Sequence, residues 1–186
     1  MSKKRVIIGL MGTIGSGKTY VSDYLIQKYK FYKISMGDLV REKADELKIK
    51  RTRENLQKLA EEYRQKYGKN YWVKEVFKKI KKYDKEYFLI DGIRTPIEAE
   101  TAKKNSAFLI LVDAKPNLRH KRIIERAREG EEKDTIEQIQ AEDRKEWKIF
   151  NLKKTFSYAE YKILNNSTKK SLENKIDIAL RKLFKN

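Results

Sequence analysis

Val6-Ile7-Ile8-Gly9-Leu10-Met11 runs directly into Gly12-Thr13-Ile14-Gly15-Ser16-Gly17-Lys18-Thr19. The first six residues are a short apolar run. The next eight follow the pattern G-x-x-x-x-G-K-[ST]. Val21 and Leu25 then recur at helical spacing, so the stretch reads as strand, glycine loop and helix. The glycines permit a tight turn whose N–H groups point inward, and the following helix adds the positive end of its dipole. Together these make a phosphate cradle. Gly12, Thr13, Ile14, Gly15, Ser16, Gly17, Lys18, Thr19 and the adjoining Tyr20 are the candidate nucleotide-binding residues. Lys18 is placed to reach the β- and γ-phosphates, and the Thr19 hydroxyl to ligate Mg²⁺. The expected cofactors are ATP and Mg²⁺.

Working outward, further strand-like runs are Phe31–Ser35, Tyr87–Asp91, Ala107–Asp113 and, more weakly, Tyr161–Leu164. Continuous apolar runs suit strands covered on both faces. Helical patterns fill the gaps, and Leu172, Ile176, Ala179, Leu180, Leu183 and Phe184 share a stripe near the end. The alternation predicts an α/β fold, a doubly wound parallel five-stranded sheet flanked by helices, with ligands at the carboxyl ends of the strands. Candidate polar residues cluster there: Ser35 and Asp38, Asp91 and Arg94, Asp113. Ser35 and Asp38 also suit a helix-capping pattern.

The 186 residues suit one domain. With no cysteine, disulfides and thiolate chemistry are excluded, and a single histidine excludes a His-rich metal site. That histidine, His120, lies between Arg119 and Lys121 and is expected on the solvated surface. A net charge of +18, from 45 basic and 27 acidic residues, admits nucleic acid, membrane surface or anionic small molecules as partners. Lysines mixed with glutamates along the whole chain also describe an ion-pair-rich surface. No stretch is long and apolar enough for a signal or a membrane span, so a cytoplasmic protein, monomer or homodimer, is expected.

Ile34-Ser35-Met36-Gly37-Asp38-Leu39-Val40-Arg41 resembles the I-S-x-G-D-x-x-R substrate motif of adenylate kinase and its nucleoside monophosphate kinase relatives. The resemblance implies that Arg41 grips the phosphate of an acceptor nucleotide. Asp91-Gly92-Ile93-Arg94-Thr95-Pro96 is similar to that family's D-G-[FY]-P-R segment, with proline and arginine displaced. It implies Asp91 as the Mg²⁺-organising carboxylate and Arg94 as a second phosphate grip.

A second resemblance is to dephospho-coenzyme A kinase. The opening Gly9–Thr19 looks like that family's, and Ala159–Thr168 resembles its A-D-x-V-I-x-N-x-G-T, with Glu160 for aspartate and Ser167 for glycine. This implies that Asn165, Ser167 and Thr168 lie beside the nucleotide's adenine. Thr52–Gln57, Tyr67-Gly68 and Asp91–Arg94 resemble adenylate-kinase-like proteins of archaea and bacteria along nearly the whole chain.

After Pro116, Arg119, Arg122 and Arg126 fall at i, i+3 and i+7 on one helical face. A polar loop, Glu129–Asp134, follows, and Asp134 and Glu137 are placed to cap the next helix. The arrangement resembles a kinase lid spanning residues 119–147, with Arg122 and Arg126 closing on the triphosphate and Arg144 as a further contact. Closure would exclude water. Ion pairing to nearby glutamates is the competing role.

Residues 37–83 form an expected helical acceptor-binding insert, with Arg53, Asn55 and Arg64 as polar candidates. Tyr71 and Trp72 suit base stacking or core packing. The function expected is Mg-ATP-dependent phosphoryl transfer to a small phosphate-bearing acceptor, a (deoxy)nucleoside monophosphate, by Lys18, Asp38, Arg41, Asp91, Arg94, Arg122 and Arg126. Dephospho-coenzyme A is the alternative acceptor, its hydroxyl calling on Asp38 as base. An RNA-associated ATPase or switch is the alternative of another class, although no RNA-binding motif is legible.

Overall fold

A computed structural model describes residues 5–126 and 135–185. Arg128 and the polar loop Glu129–Asp134, expected to belong to a lid, lie outside the described residues. The five strands are β1 (Val6–Met11), β2 (Tyr32–Ser35), β3 (Tyr87–Asp91), β4 (Ala107–Asp113) and β5 (Tyr161–Leu164). They form one sheet in the order β2-β3-β1-β4-β5. Every pairing is parallel. β1 sits centrally, so the glycine loop leaves the middle of the sheet's carboxyl edge. In register, Leu10 lies beside Asp91, and Asp91 beside Ser35.

The period of two along each strand divides the core. Ile7, Met11, Ile34, Phe88, Ile90, Leu109 and Leu111 face one layer of helices. These are α2 (Met36–Glu46), α3 (Arg53–Tyr67), α4 (Tyr71–Lys82) and α5 (Pro96–Lys104). Ile8, Leu10, Leu89, Ile110, Val112 and Ile163 face the other. It comprises α1 (Lys18–Tyr29) and α9 (Lys169–Lys185), which contribute Val21, Leu25, Leu172 and Ile176. Both faces of β1, β3 and β4 are thus apolar, as the continuous runs predicted, whereas the edge strands β2 and β5 bury one face each, through Ile34 and Ile163. Three further helices, α6 (Pro116–Arg126), α7 (Ile136–Ile149) and α8 (Leu152–Phe156), lie between β4 and β5 in the chain.

The segment between β2 and β3 is three helices. Trp72 is buried and donates its indole N–H to the Ala60 carbonyl at 3.0 Å. Tyr71 packs against that ring at 5.0 Å and against Tyr63 at 5.3 Å. Both residues therefore hold α3 to α4, and the packing role is the one realised. Of the polar candidates, Asn55 binds the Lys50 carbonyl at 2.9 Å, while Arg53 is exposed at the start of α3.

Arg64 turns inward instead. Its guanidinium lies 3.3 Å from Glu98, which is 1% exposed. Glu98 also accepts the backbone N–H groups of Arg94 and Thr95 at 3.0 and 3.1 Å. Thr95 and Glu98 complete a capping box at the start of α5. One buried carboxylate thus shapes the turn that presents Arg94.

Two capping expectations are corrected. Ser35 is the N-cap of α2, but its side chain makes no cap bond. Thr135 and Gln138 form the capping box of α7, with Glu137 in its first turn, and Asp134 lies outside the described residues. Glu98→Ala is expected to cost about 2–4 kcal/mol by stranding Arg64 and two backbone donors. Glu98→Gln should recover part of this, because its amide oxygen still accepts; urea unfolding midpoints measure both.

Candidate functional site

The loop from Gly12 to Lys18 turns on three glycines with φ of +145°, +76° and +99° at Gly12, Gly15 and Gly17. These left-handed angles disfavour a side chain, and the surroundings leave no room for one. A Cβ on Gly15 would sit 2.6 Å from the Arg119 carbonyl oxygen, and one on Gly17 would sit 2.3 Å from Asn165 Nδ2. Gly17 is the N-cap of α1; no side chain caps the helix, and its first turn holds no acidic residue. Its first N–H groups are therefore left to an anion. Ser16 Oγ is buried and has no hydrogen-bond partner among the described residues.

Lys18 folds across the loop and donates to the Gly12 and Thr13 carbonyls at 2.7 and 3.0 Å. Burial, then the charge of Arg94, pushes its ammonium down to about 8; Asp91 and Glu146 oppose that shift. Lys18, Asp91 and Arg94, predicted separately, thus share one electrostatic field. Asp91 lies 3.6 Å from Lys33. The Arg94 guanidinium lies 3.6 Å from Glu146 on α7 and 5.8 Å from the Phe150 ring. Asp38 and Arg41 pair at 3.3 Å on the exposed side of α2, which opens immediately after Ser35 and hence beside Asp91.

The Thr19 hydroxyl and Asp91 carboxylate are hard oxygen donors of the kind Mg²⁺ takes. Thr19 is exposed at the start of α1, and Asp91 closes the neighbouring strand. Among the described residues, no group of three or more His, Cys, Asp or Glu could hold a metal ion. A cation held here would draw its remaining ligands from phosphate and water, as Mg²⁺ ordinarily does.

Several residues expected beside the nucleotide bond within the protein, Asn165 and Arg122 to the loop and Tyr20 and Thr168 to α9. Asn165 donates its amide to the Ser16 carbonyl at 2.9 Å and its backbone N–H to Asp113 at 2.7 Å. Its side chain thereby braces the loop. Arg122 donates to the Gly15 and Asn165 carbonyls at 3.4 and 2.9 Å. Thr168 Oγ1 accepts the Ser171 N–H at 3.3 Å, at the start of α9. Tyr20 gives its hydroxyl to Glu173 of α9 at 2.5 Å. Ser167 is exposed in the same turn. The side chain of Arg126 lies outside the described residues.

Arg119 and His120 also depart from expectation. Arg119 is 3% exposed and donates to Ile14 of the loop at 3.2 Å and to Asp143 of α7 at 2.8 and 2.5 Å. Burial raises the Asp143 carboxyl, but Arg119 outweighs it and holds the carboxyl below its usual range. His120, expected in solvent, is buried with Nε2 3.6 Å from Asp143. Sequence reasoning also passed over Lys33, Glu98 and Glu146. For Glu98 a signal was available: Thr95-Pro96-Ile97-Glu98 fits the S/T-x-x-E capping pattern with proline at the first helical position.

A family model described as an AAA domain matches residues 11–140. The chain is 32% identical over 178 residues to the UPF0200 protein of Thermococcus sibiricus, with 92% of each chain covered. The chain belongs to the UPF0200 family. The UPF0200 protein of Pyrococcus horikoshii is 30% identical over 187 residues, covering 97% of this chain and 99% of that one. Among solved structures, TT1252 from Thermus thermophilus matches with a TM-score of 0.66 at 19% identity, covering 97% of this chain and 99% of its own. Shikimate kinase from Bacteroides thetaiotaomicron matches with a TM-score of 0.62 at 16% identity and the same coverage. At such identities the likeness is one of fold, and the UPF0200 chain has the fold of P-loop kinases.

Two outcomes follow for the loop. Gly17→Ala is expected to cost about 1–3 kcal/mol in backbone strain and to weaken ADP binding; thermal unfolding with and without ADP reads both. An anion favours charged Lys18, so affinity is full below a pH of about 8. Above it, affinity falls by up to about tenfold per pH unit. Calorimetry with sulfate, which does not titrate there, in the presence of a chelator should follow this course, and Lys18→Met should abolish the slope.

Proposed function

We propose that the protein transfers the γ-phosphoryl group of ATP to a small acceptor that itself carries a phosphate, a nucleoside monophosphate being the class favoured. The observation that carries this is the convergence of Lys18, Asp91 and Arg94 in one field, with Asp38 and Arg41 presented from the adjoining strand end. Transfer between phosphates needs positioning and charge more than a strong base. In this reading the loop N–H groups and Lys18 bind the donor's phosphates. Arg41 attracts the acceptor's phosphate, and Arg94 neutralises charge between the two. Thr19 and Asp91 would hold Mg²⁺, which supplies further charge neutralisation when bound.

A hydroxyl acceptor, as in dephospho-coenzyme A, is the second reading. Glu146 favours it, because it brings a carboxylate beside Arg94 and into the field of Lys18. A hydroxyl nucleophile needs such a base, and Asp38 is the other candidate.

The experiment is a transfer panel with Mg-ATP, ribo- and deoxyribonucleoside monophosphates and dephospho-coenzyme A, each against a blank without acceptor. One monophosphate should turn over well above the blank. Lys18→Ala should lower kcat by about 10²–10³-fold, the scale of losing one transition-state donor. Arg41→Ala should raise the acceptor's KM with little change in that for ATP. If Asp38→Asn or Glu146→Gln instead removes turnover on dephospho-coenzyme A, the hydroxyl reading stands. Hydrolysis indifferent to every acceptor, and stimulated by RNA with a steep salt dependence, would overturn both.

A further inference from the structure

A second concavity lies where α7 meets the carboxyl ends of β4 and β5. Its volume is about 730 Å³, within the roughly 300–1,000 Å³ usual for small-molecule sites. Of the candidate residues above, Thr13, Asp113, Arg119 and Arg144 line it, but Lys18, Asp38, Arg41, Asp91 and Arg94 do not. The geometry of α7 explains the separation. Glu146 faces Arg94 and the phosphate loop. Arg144 precedes it by two residues, about 200° around a helix, and so lies on the opposite flank, in the wall of the groove. Arg144 was expected as a lid contact; it lines the groove together with Thr13 of the phosphate loop.

The lining chemistry is uneven in a telling way. Its two carboxylates are already neutralised, Asp113 by Lys162 at 2.7 Å and Asp143 by Arg119. Of its cations, Arg119 is spent on that pair and the other three are not. The side chains of Lys115, Arg144 and Lys148 make no ion pair or hydrogen bond among the described residues. Between them stand apolar surfaces open to the groove. Trp147 is 40% exposed and held edge-on by Phe156 at 5.5 Å, and Leu164 is 44% exposed. A fixed aromatic plate ringed by cations without counter-charge suits a planar ligand that carries a phosphate.

We propose that this groove is a second ligand site that takes a nucleoside monophosphate, the base against Trp147 and the phosphate on Arg144, Lys148 and Lys115. Inorganic phosphate would leave the aromatic plate unused, and an uncharged nucleoside would leave the cations unused. The site stands or falls separately from the transfer reaction, because it shares neither Lys18 nor Arg41.

Tryptophan fluorescence of the full chain tests it. There are two tryptophans, and Trp72 is 2% exposed, so Trp147 reports on the groove. AMP, GMP, CMP and UMP are titrated, with inorganic phosphate and adenosine as controls. At least one nucleotide should change the emission saturably. Arg144→Ala and Lys148→Ala should each weaken it about tenfold, the equivalent of one charge-assisted hydrogen bond, with ADP affinity and circular dichroism unchanged. Arg41→Ala should leave it intact, which separates the groove from an acceptor site. By calorimetry, Trp147→Phe should retain most of the affinity and Trp147→Ala should lose it. The proposal is overturned if no monophosphate binds, if affinity is unmoved by Arg144→Ala and Lys148→Ala, or if inorganic phosphate binds as tightly as the nucleotide.

Discussion

The left-handed turn of the glycine loop is the constraint on which the rest of the molecule depends. Three positive φ angles, at Gly12, Gly15 and Gly17, hold the backbone in a shape that an isolated chain would not keep. It is maintained from outside. Asn165 closes on Gly17 and Ser16, the Arg119 backbone closes on Gly15, and the Arg119 side chain reaches Ile14. Each prop is itself anchored: Asn165 to the end of β4, and Arg119 to Asp143 on α7. The cradle is preorganised because β4, β5, α6 and α7 all converge on it.

That arrangement changes the role of the arginines that follow Pro116. Arginines on a helix beside a phosphate loop resemble a mobile set of phosphate grips. Two of them instead donate to backbone carbonyls of the loop or its neighbours. Arginine suits this work because its planar fork serves a carboxylate and a carbonyl at once. Asp143 makes the arrangement tolerable, since a buried guanidinium without a carboxylate would be strongly destabilising. Arg41 and Arg94 lie elsewhere, paired with Asp38 and with Glu146.

The helices between β2 and β3 show a comparable division. Their aromatic residues are spent on one another and on the sheet, as Trp72 and Tyr71 illustrate. Their charged residues divide between structure and site. Arg64 reaches Glu98 and so helps shape the Arg94 turn, whereas Asp38 and Arg41 stay exposed beside Asp91. The insert thus presents one polar edge to the cleft while its bulk packs on the sheet.

The sequence by itself determined the sheet, the glycine loop and the strand ends that flank it. Apolar runs long enough to be covered twice, and glycines at positions that require positive φ, are local signals, and all five strands lie where those signals put them. The placement of Gly12 through Thr19 between β1 and α1, and of Asp91 at the end of the neighbouring β3, was legible because it follows from position within a strand–loop–helix unit. Only the tertiary structure decided what Asn165, Arg122, Thr168 and Tyr20 touch, that His120 is buried, and that Glu146 and Arg144 look to opposite sides of α7. Those outcomes depend on contacts between residues more than a hundred positions apart in several cases, such as Asn165 with Ser16. A side chain's type limits which bonds it can make, but which partner it meets is set by how the helices dock, and no local pattern encodes that.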